Sequence, residues 1–592
     1  MTIEFGPFQL DESGRLLKLQ GREVELQPRV FELLVYLIKN EARVVPKDEL
    51  LDALWPAVTV TDNSVQRAVS SLRSVLRKGG LENAIRSYPR NGYRFMLNGA
   101  KADTDELAPA AETAKAAFLQ QRWGEAAANY ETAGACTELS GDDLDQWALA
   151  LQCLGRPADA IPVLGRAIVA HTKSSSAGAA AASAVALSII HFERGEAAVA
   201  KGWIAHAEEL MARSDPGVAT GLIMWMTSRV AAFEGDPKRA LELAEATYGF
   251  GRDQGIVKIE SLGLMYRGFY RLSLGDTQGG LADQDRAAAL ALSHDVDPMT
   301  GGVLYCNILW ACRTFGDWAR ADQWTLSYQK FCADSRMRFS GSCQLHRAEV
   351  LGIRGSLADA VAHVTEALAC LPQDAPWAVG DAHRVLGDLQ SAVGNHDAAF
   401  AAYETSYALG WDPEPGRALL LLEVGETEAA HAGLERSLMG QNWWTLQRQG
   451  MLLAHLALVA AHSGRREKAQ ALISDLAEQT DRWPMPSIRA LTNEASAVLA
   501  HFDGEPEKAL SRLHLARQLW TSVGSRLHAA RLRIRIARLL LERSDSIGAN
   551  TEVRAAQAVA DELDSPRLRR QCAELQADIQ RLQTVRAQAA GL

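Results

Sequence analysis

Seven residues between positions 66 and 77 carry the chemistry that stands out first. Gln66, Arg67, Ser70, Ser71, Arg73, Ser74 and Arg77 interleave with Val65, Val69, Leu72 and Leu76 at three- and four-residue spacings. On a helix that arithmetic separates a polar face from an apolar one. The polar face holds guanidiniums, hydroxyls and one amide, and no carboxylate. Arg and Gln can each make paired hydrogen bonds to the edge of a base, Ser adapts to either kind of edge, and flanking Arg can neutralise phosphates. The face therefore suits a helix lying in the major groove of double-stranded DNA. The plainer reading, a solvated surface helix, would more usually mix both charge signs. Further on, residues 85–95 alternate apolar side chains around Asn91-Gly92, with Arg86, Arg90 and Arg94 between them. That is the pattern of a β-hairpin with protruding cations, able to reach into a minor groove.

Those side chains need a frame, and the first hundred residues read as one. Short apolar runs at 3–5, 8–10, 16–19 and 24–26, parted by Gly6, Gly14 and Gly21, read as strands. From Pro28 the period lengthens, with Val30, Phe31, Leu34, Leu37 and Ile38 on one face of a helix that Pro28 opens. A second helix follows Pro46, carries Leu50, Leu51 and Leu54, and ends at Trp55-Pro56. Thr61-Asp62-Asn63 supplies N-cap candidates for the third helix, the one with the polar stripe. Three helices closed by a basic hairpin make a winged helix-turn-helix.

As an ordered set these pieces resemble the OmpR-type winged-helix family, especially its ToxR-like members. The matching pieces are the small leading sheet, Asp62-Asn63-Ser64-Val65 opening the third helix, Leu72-Arg73 within it, and Gly92-Tyr93-Arg94-Phe95 closing the wing. The resemblance covers residues 1–97. It implies that Gln66, Arg67, Ser70 and Ser71 lie near bases. It also implies that Arg73, Arg77 and Tyr93 lie near phosphates, with Arg94 on the wing and Arg90 at its tip. The loop between the second and third helices, with Trp55, Pro56, Thr59 and Asp62, is the part that touches RNA polymerase in such proteins. Ser70 and Ser71 stand where relatives often carry longer side chains, which leaves the base preference open. No receiver domain precedes the head and no membrane span follows it, so the usual inputs of these regulators are not expected here.

Charge is divided unevenly along the chain. Residues 1–99 hold 14 Lys and Arg against 12 Asp and Glu, which leaves 48 basic and 60 acidic residues of the totals of 62 and 72. The acidic remainder would repel a polyanion, so contact with nucleic acid falls to the first hundred residues. No basic-then-apolar leader opens the sequence, and no apolar run of membrane-spanning length occurs; a soluble cytoplasmic protein is expected. The eight scattered cysteines form no Cys-x-x-Cys pair and read as small buried apolar residues.

Residues 98–112 are small and polar and read as a linker. Beyond them one phrase recurs: a helix ending in Gly, often followed by Asp or Glu, with Ala a few residues later. Gly155, Gly195, Gly235, Gly275, Gly316, Gly355, Gly394, Gly425, Gly464 and Gly504 fit it, 39 to 41 residues apart with one interval of 31. Each unit reads as helix, tight turn, helix, and the array over 113–545 resembles tetratricopeptide repeats lengthened to about 40 residues. Residues 546–592 read as capping helices. Such units stack into a superhelix with a long concave face. The array's aromatics read mainly as inter-repeat core, and Tyr305, Trp310, Trp318 and Trp324 form the densest set that could line a groove. Arg531, Arg535 and Arg538 read as a solvated stripe.

Catalytic patterns are missing. There is no phosphate-binding Gly-x-x-x-x-Gly-Lys loop, no paired-Cys or His-Glu-x-x-His zinc pattern, and Glu428-x-x-His431 reads as a surface coincidence. The sequence thus points to a multidomain, non-enzymatic protein without cofactor or metal: an α+β winged helix-turn-helix followed by an all-α solenoid. Its expected work is one-component regulation of transcription, in which the array takes a signal from a protein or small molecule and homodimers can form. The alternative is a scaffold whose winged helix has been turned to protein binding. Retention of Arg67, Arg73 and Arg90 favours the former.

Overall fold

The computed structural model describes residues 2–590 apart from 25, 42, 55–61, 82–83, 89–91, 97–103, 213, 293–295, 339 and 441–442. The chain divides into two units, the first made of Met1–Glu112 with Ala135–Thr137. In this head, β1 (Thr2–Phe5), β2 (Phe8–Asp11), β3 (Leu16–Leu19) and β4 (Arg22–Val24) form an antiparallel meander in sequence order. The fourth strand lies two residues earlier than the sequence suggests. Strand alternation sends Phe8, Leu10 and Leu17 inward, where they are fully buried. α1 (Pro28–Lys39) starts with Pro28 in its first turn, and α2 (Lys47–Leu54) and α3 (Asp62–Arg77) follow. The hairpin of β5 (Ile85–Tyr88) and β6 (Gly92–Phe95) completes the winged helix-turn-helix. One core joins all of these, with Leu34 and Leu37 of α1, Val65, Val69, Leu72 and Leu76 of α3, and Phe95 of β6. Phe5 meets Phe95 edge-on at 5.5 Å.

Gly92 is a strand residue rather than a turn residue. Gly92 is already in β6, paired with Tyr88, at φ +123°. The reason is a crossing: Tyr93 and Val45 exchange backbone hydrogen bonds of 2.8 and 2.9 Å, and a Cβ on residue 92 would lie 1.8 Å from the Val45 carbonyl oxygen. Only glycine lets the wing pass that closely over the start of α2.

The remainder is helical. The stretch expected as a linker is already helical from Thr104, in the helix Thr104–Leu119, and the last helix is Pro566–Ala590. All ten recurring glycines are left-handed, with φ between +70° (Gly504) and +99° (Gly355). At Gly235 the mechanism is complete: the Asp236 amide reaches back to the Ala231 carbonyl, the Asp236 side chain accepts from the Arg239 amide at 2.9 Å, and Pro237 begins the next helix. Ala240, four residues after Asp236, is fully buried where the paired helices meet.

The array departs from an open superhelix in one respect: its successive turns touch. The Trp123 indole donates to the Ser335 carbonyl, Gln447 to the Phe269 carbonyl, Thr277 to the Arg482 carbonyl, Ser487 to Gly316, Ser525 to Ile353 and Arg567 to Ser391. These partners are 171 to 212 residues apart, so one superhelical turn takes between four and six hairpins. Ile353 lies in the last turn of its helix, and Ser335 and Gly316 cap theirs, places where carbonyls lack a partner within the helix. The inner face is therefore a partly open pocket rather than a long continuous groove.

Candidate nucleic-acid interface

α3 buries Val65, Ala68, Val69, Leu72 and Leu76 against the head's core. The opposite stripe at Arg67, Ser70, Ser71, Ser74 and Arg77 is exposed along its length. Spacings of three, one, three and three residues keep those five side chains in line over three turns. Elsewhere in the head four cations are paired with carboxylates. Arg15 and Arg29 pair with Glu32 at 3.0 and 2.8 Å, Lys39 with Glu12, and Arg43 with Glu49 at 2.8 Å. Hydrogen bonds from Arg43 and Tyr36 hold the Glu49 carboxyl down to about 2, so that pair stays ionised at any working pH. Arg67 and Arg77 have no acidic partner among the described residues. The uncompensated charge of the head thus includes the polar stripe of α3.

Other expected contacts take different places. Arg73 leans away from the stripe: its Nε and Nη2 donate to the Ile85 carbonyl at 3.2 and 2.8 Å, tying α3 to the wing. Tyr93 is 5% exposed and belongs to the core, so its ring cannot lie on a phosphate without the wing coming loose. Arg94 stays at the surface and donates from Nε to the Glu41 carbonyl at 2.8 Å, which positions the root of the wing. Gln66 lies within α3, and Asp62 is its first residue. Trp55, Pro56, Thr59 and Arg90 lie outside the described residues.

Of the four array aromatics singled out by the sequence, Trp310 lines the interior of the array. Tyr305 is fully buried, stacked on Tyr328 at 5.0 Å, and Trp324 meets Tyr305 at 5.9 Å while donating to Asp285. Both are packing between helices. Trp318 lines a second, smaller interior cavity of about 230 Å³. Arg538 is exposed, as the solvated-stripe reading expects, but Arg531 departs from it: it faces that smaller cavity, and burial together with Arg567 pulls its guanidinium down to about 10. Arg535 is paired with Glu494 at 2.9 Å. Sequence reasoning passed over Trp377 and Trp411, which stand beside Trp310 at 5.7 and 6.0 Å.

Glu414, beside this cluster, is almost fully buried, and its Oε2 accepts from the Ala418 amide at 2.6 Å. Burial, with Asp412 adding to it, pushes its carboxyl up to about 7. A carboxyl raised above its unfolded value stabilises the fold below about pH 4.5 and loses that contribution as pH climbs through 7. Glu414→Gln, which keeps an acceptor for Ala418, is therefore expected to gain about 2–3 kcal/mol over the parent at pH 8 and nothing at pH 4. Urea midpoints at the two pH values check this, and an equal shift at both removes ionisation as the cause.

The head is a winged helix-turn-helix domain of the kind found in transcription regulators. Residues 21–95 match the family described as "Transcriptional regulatory protein, C terminal". Similar proteins include the transcriptional activator CadC of Escherichia coli strain K12, 29% identical over 98 residues, which are 16% of this chain and 19% of that one. The regulatory protein YvcP of Bacillus subtilis is 38% identical over 97 residues, 16% of this chain and 41% of that one. The chain thus spans less than half the length of these relatives. A structural likeness to the crystal structure of the APC/C hetero-tetramer Cut9-Hcn1 covers 80% of this chain and 97% of that one, at 16% identity and a TM-score of 0.32. No helix among the described residues is long and apolar enough to cross a membrane.

Proposed function

We propose that the protein is a sequence-specific DNA-binding regulator of transcription whose helical array receives a signal by binding rather than by catalysis. The observation that carries this reading is the stripe of α3, where Arg67 and Arg77 remain without acidic partners while Arg15, Arg29, Lys39 and Arg43 are paired. An unpaired guanidinium flanked by small hydroxyls suits base edges and phosphates. The acidic remainder of the chain keeps the duplex on the head alone. The loop at 55–61 would meet RNA polymerase, as the family resemblance implies, and a second copy of the chain would occupy a second half-site.

The test is selection from a random duplex pool by the full chain at low ionic strength, followed by titration of a selected duplex across salt. A recovered motif with a steep fall in affinity as salt rises supports the reading. A pool returned without enrichment, and without retained duplex at any salt, overturns it in favour of a protein-binding scaffold.

A further inference from the structure

Within the array lies a partly open pocket of about 1100 Å³, large enough for an entire small organic molecule. Its walls are drawn from helices between Gln152 and Thr445, so its occupant would touch more than one superhelical turn. Two features of the lining set the chemistry.

One part of the lining is a cluster of indoles tilted 37 to 58° to their neighbours, with Trp310 edge-on to Trp411. Trp377 lies 5.7 Å from Trp310 and 6.1 Å from Trp411, and Trp411 lies 4.7 Å from Trp444. Trp377 is 39% exposed, and its indole nitrogen donates to the Glu193 carboxylate at 3.4 Å. Rings in this arrangement take a flat ring system by stacking.

The other feature is an excess of unmatched guanidinium. The lining includes Arg229, Arg338, Arg417 and Arg436 against Glu193, Asp412 and Glu414. Glu193 is engaged by Arg229, and Asp412 by Arg448 at 3.2 Å, whose guanidinium in turn covers the Trp444 face at 3.9 Å. Glu414 turns one oxygen to the Ala418 amide and stands 3.6 Å from Arg417. Arg338 and Arg436 have no carboxylate partner among the described residues, and Arg338 instead reaches the Cys370 sulfur at 2.6 Å. Guanidiniums left in this way favour carboxylate or phosphate, which they can bind through paired hydrogen bonds.

We infer that this cavity binds a small organic anion with a flat ring body, its ring stacked on Trp377 and its neighbours and its carboxylate or phosphate held by Arg338 and Arg436. The inference deepens the receiving role proposed for the array and rests on it. Both kinds of anion share the recognition chemistry, so the experiment separates them.

The full chain is titrated with 8-anilinonaphthalene-1-sulfonate, a fluorescent flat-ringed anion. Bound probe is then displaced with 2-naphthoate, with AMP, or with the cation N-methylquinolinium. The expected result is one saturable site from which naphthoate or AMP, whichever anionic group the site prefers, releases the probe and the cation does not. Arg338→Gln combined with Arg436→Gln, both exposed positions, should weaken the probe at least about tenfold while leaving the helical circular dichroism unchanged. Trp377→Ala should do the same through loss of stacking. Absence of saturable binding, affinity unmoved in both variants, or release by the cation alone overturns the inference. Duplex affinity is measured on the same preparations. Chain that binds the probe but no duplex supports the cavity and overturns the regulator reading; chain that binds duplex but no probe overturns the cavity alone.

Discussion

Replacing Arg67 by alanine is expected to weaken binding of the selected duplex by about 10- to 100-fold, the usual cost of losing a base contact of about 1–3 kcal/mol. Arg67 is exposed, has no acidic partner among the described residues, and sits one turn ahead of Ser70 and Ser71 on the free face of α3. The loss should depend on sequence, falling on one base position of the selected motif. Arg77→Ala, at the far end of the same stripe, should instead weaken all duplexes alike and lower the slope of log affinity against log salt by about one. Fluorescence anisotropy on matched and single-mismatch duplexes separates the two effects. Unchanged affinity for Arg67→Ala on every duplex would take α3 out of the interface. Arg73→Ala supplies a contrast: its guanidinium holds the Ile85 carbonyl, so its effect should follow the melting of the head rather than the duplex sequence.

The second large effect lies inside the array. Arg313 donates to Glu349 and, at 2.9 Å, to Asp381; Arg384 reaches Asp381 at 2.8 Å, Glu349 at 3.0 Å and Asp388 at 2.9 Å; and the Tyr403 hydroxyl donates to Asp388 at 2.8 Å. The central members are nearly or fully removed from water. Burial alone would raise the Asp381 and Glu349 carboxyls, but Arg384 and Arg313 hold both below the ordinary carboxylate range. Arg313→Met removes one centre of positive charge and leaves two buried carboxylates sharing Arg384. A loss of about 3–5 kcal/mol is expected, read as a fall in the urea midpoint of the array at pH 7. Depressed carboxyls stabilise the fold above their unfolded values and lose that contribution as pH falls through them. The difference between variant and parent should therefore shrink below about pH 4. A midpoint unmoved at pH 7 would mean that the network contributes nothing net.

Local chemistry was legible in the sequence. The Gly235-Asp236-Pro237 turn reads correctly because cap, left-handed residue and first-turn proline all act within six residues. The faces of α3 read correctly because Val65, Val69, Leu72 and Leu76 repeat at helical spacing. What failed depended on a partner distant in sequence. Gly92 looked like a turn residue because nothing nearby in the sequence announces Val45 beneath it. Arg73 looked free because its acceptor is a backbone carbonyl twelve residues on, and carbonyls leave no mark in composition. Arg531 looked solvated because the walls around it include Glu423 and Tyr403, more than a hundred residues earlier. Trp377 and Trp411 were missed beside Trp310 for the same reason, since the clustered indoles share no spacing that a period could reveal.

Ordinary solenoids melt like a zip, since each repeat answers only to the two beside it. Here Ser525 holds Ile353, Arg567 holds Ser391 and Ser487 holds Gly316, so a hairpin also answers to one about 170 residues away. Strands of a rope laid side by side part together, and cutting the last third of the chain would loosen the middle as well as shorten the end. Cooperativity in this array runs across its coils as well as along them.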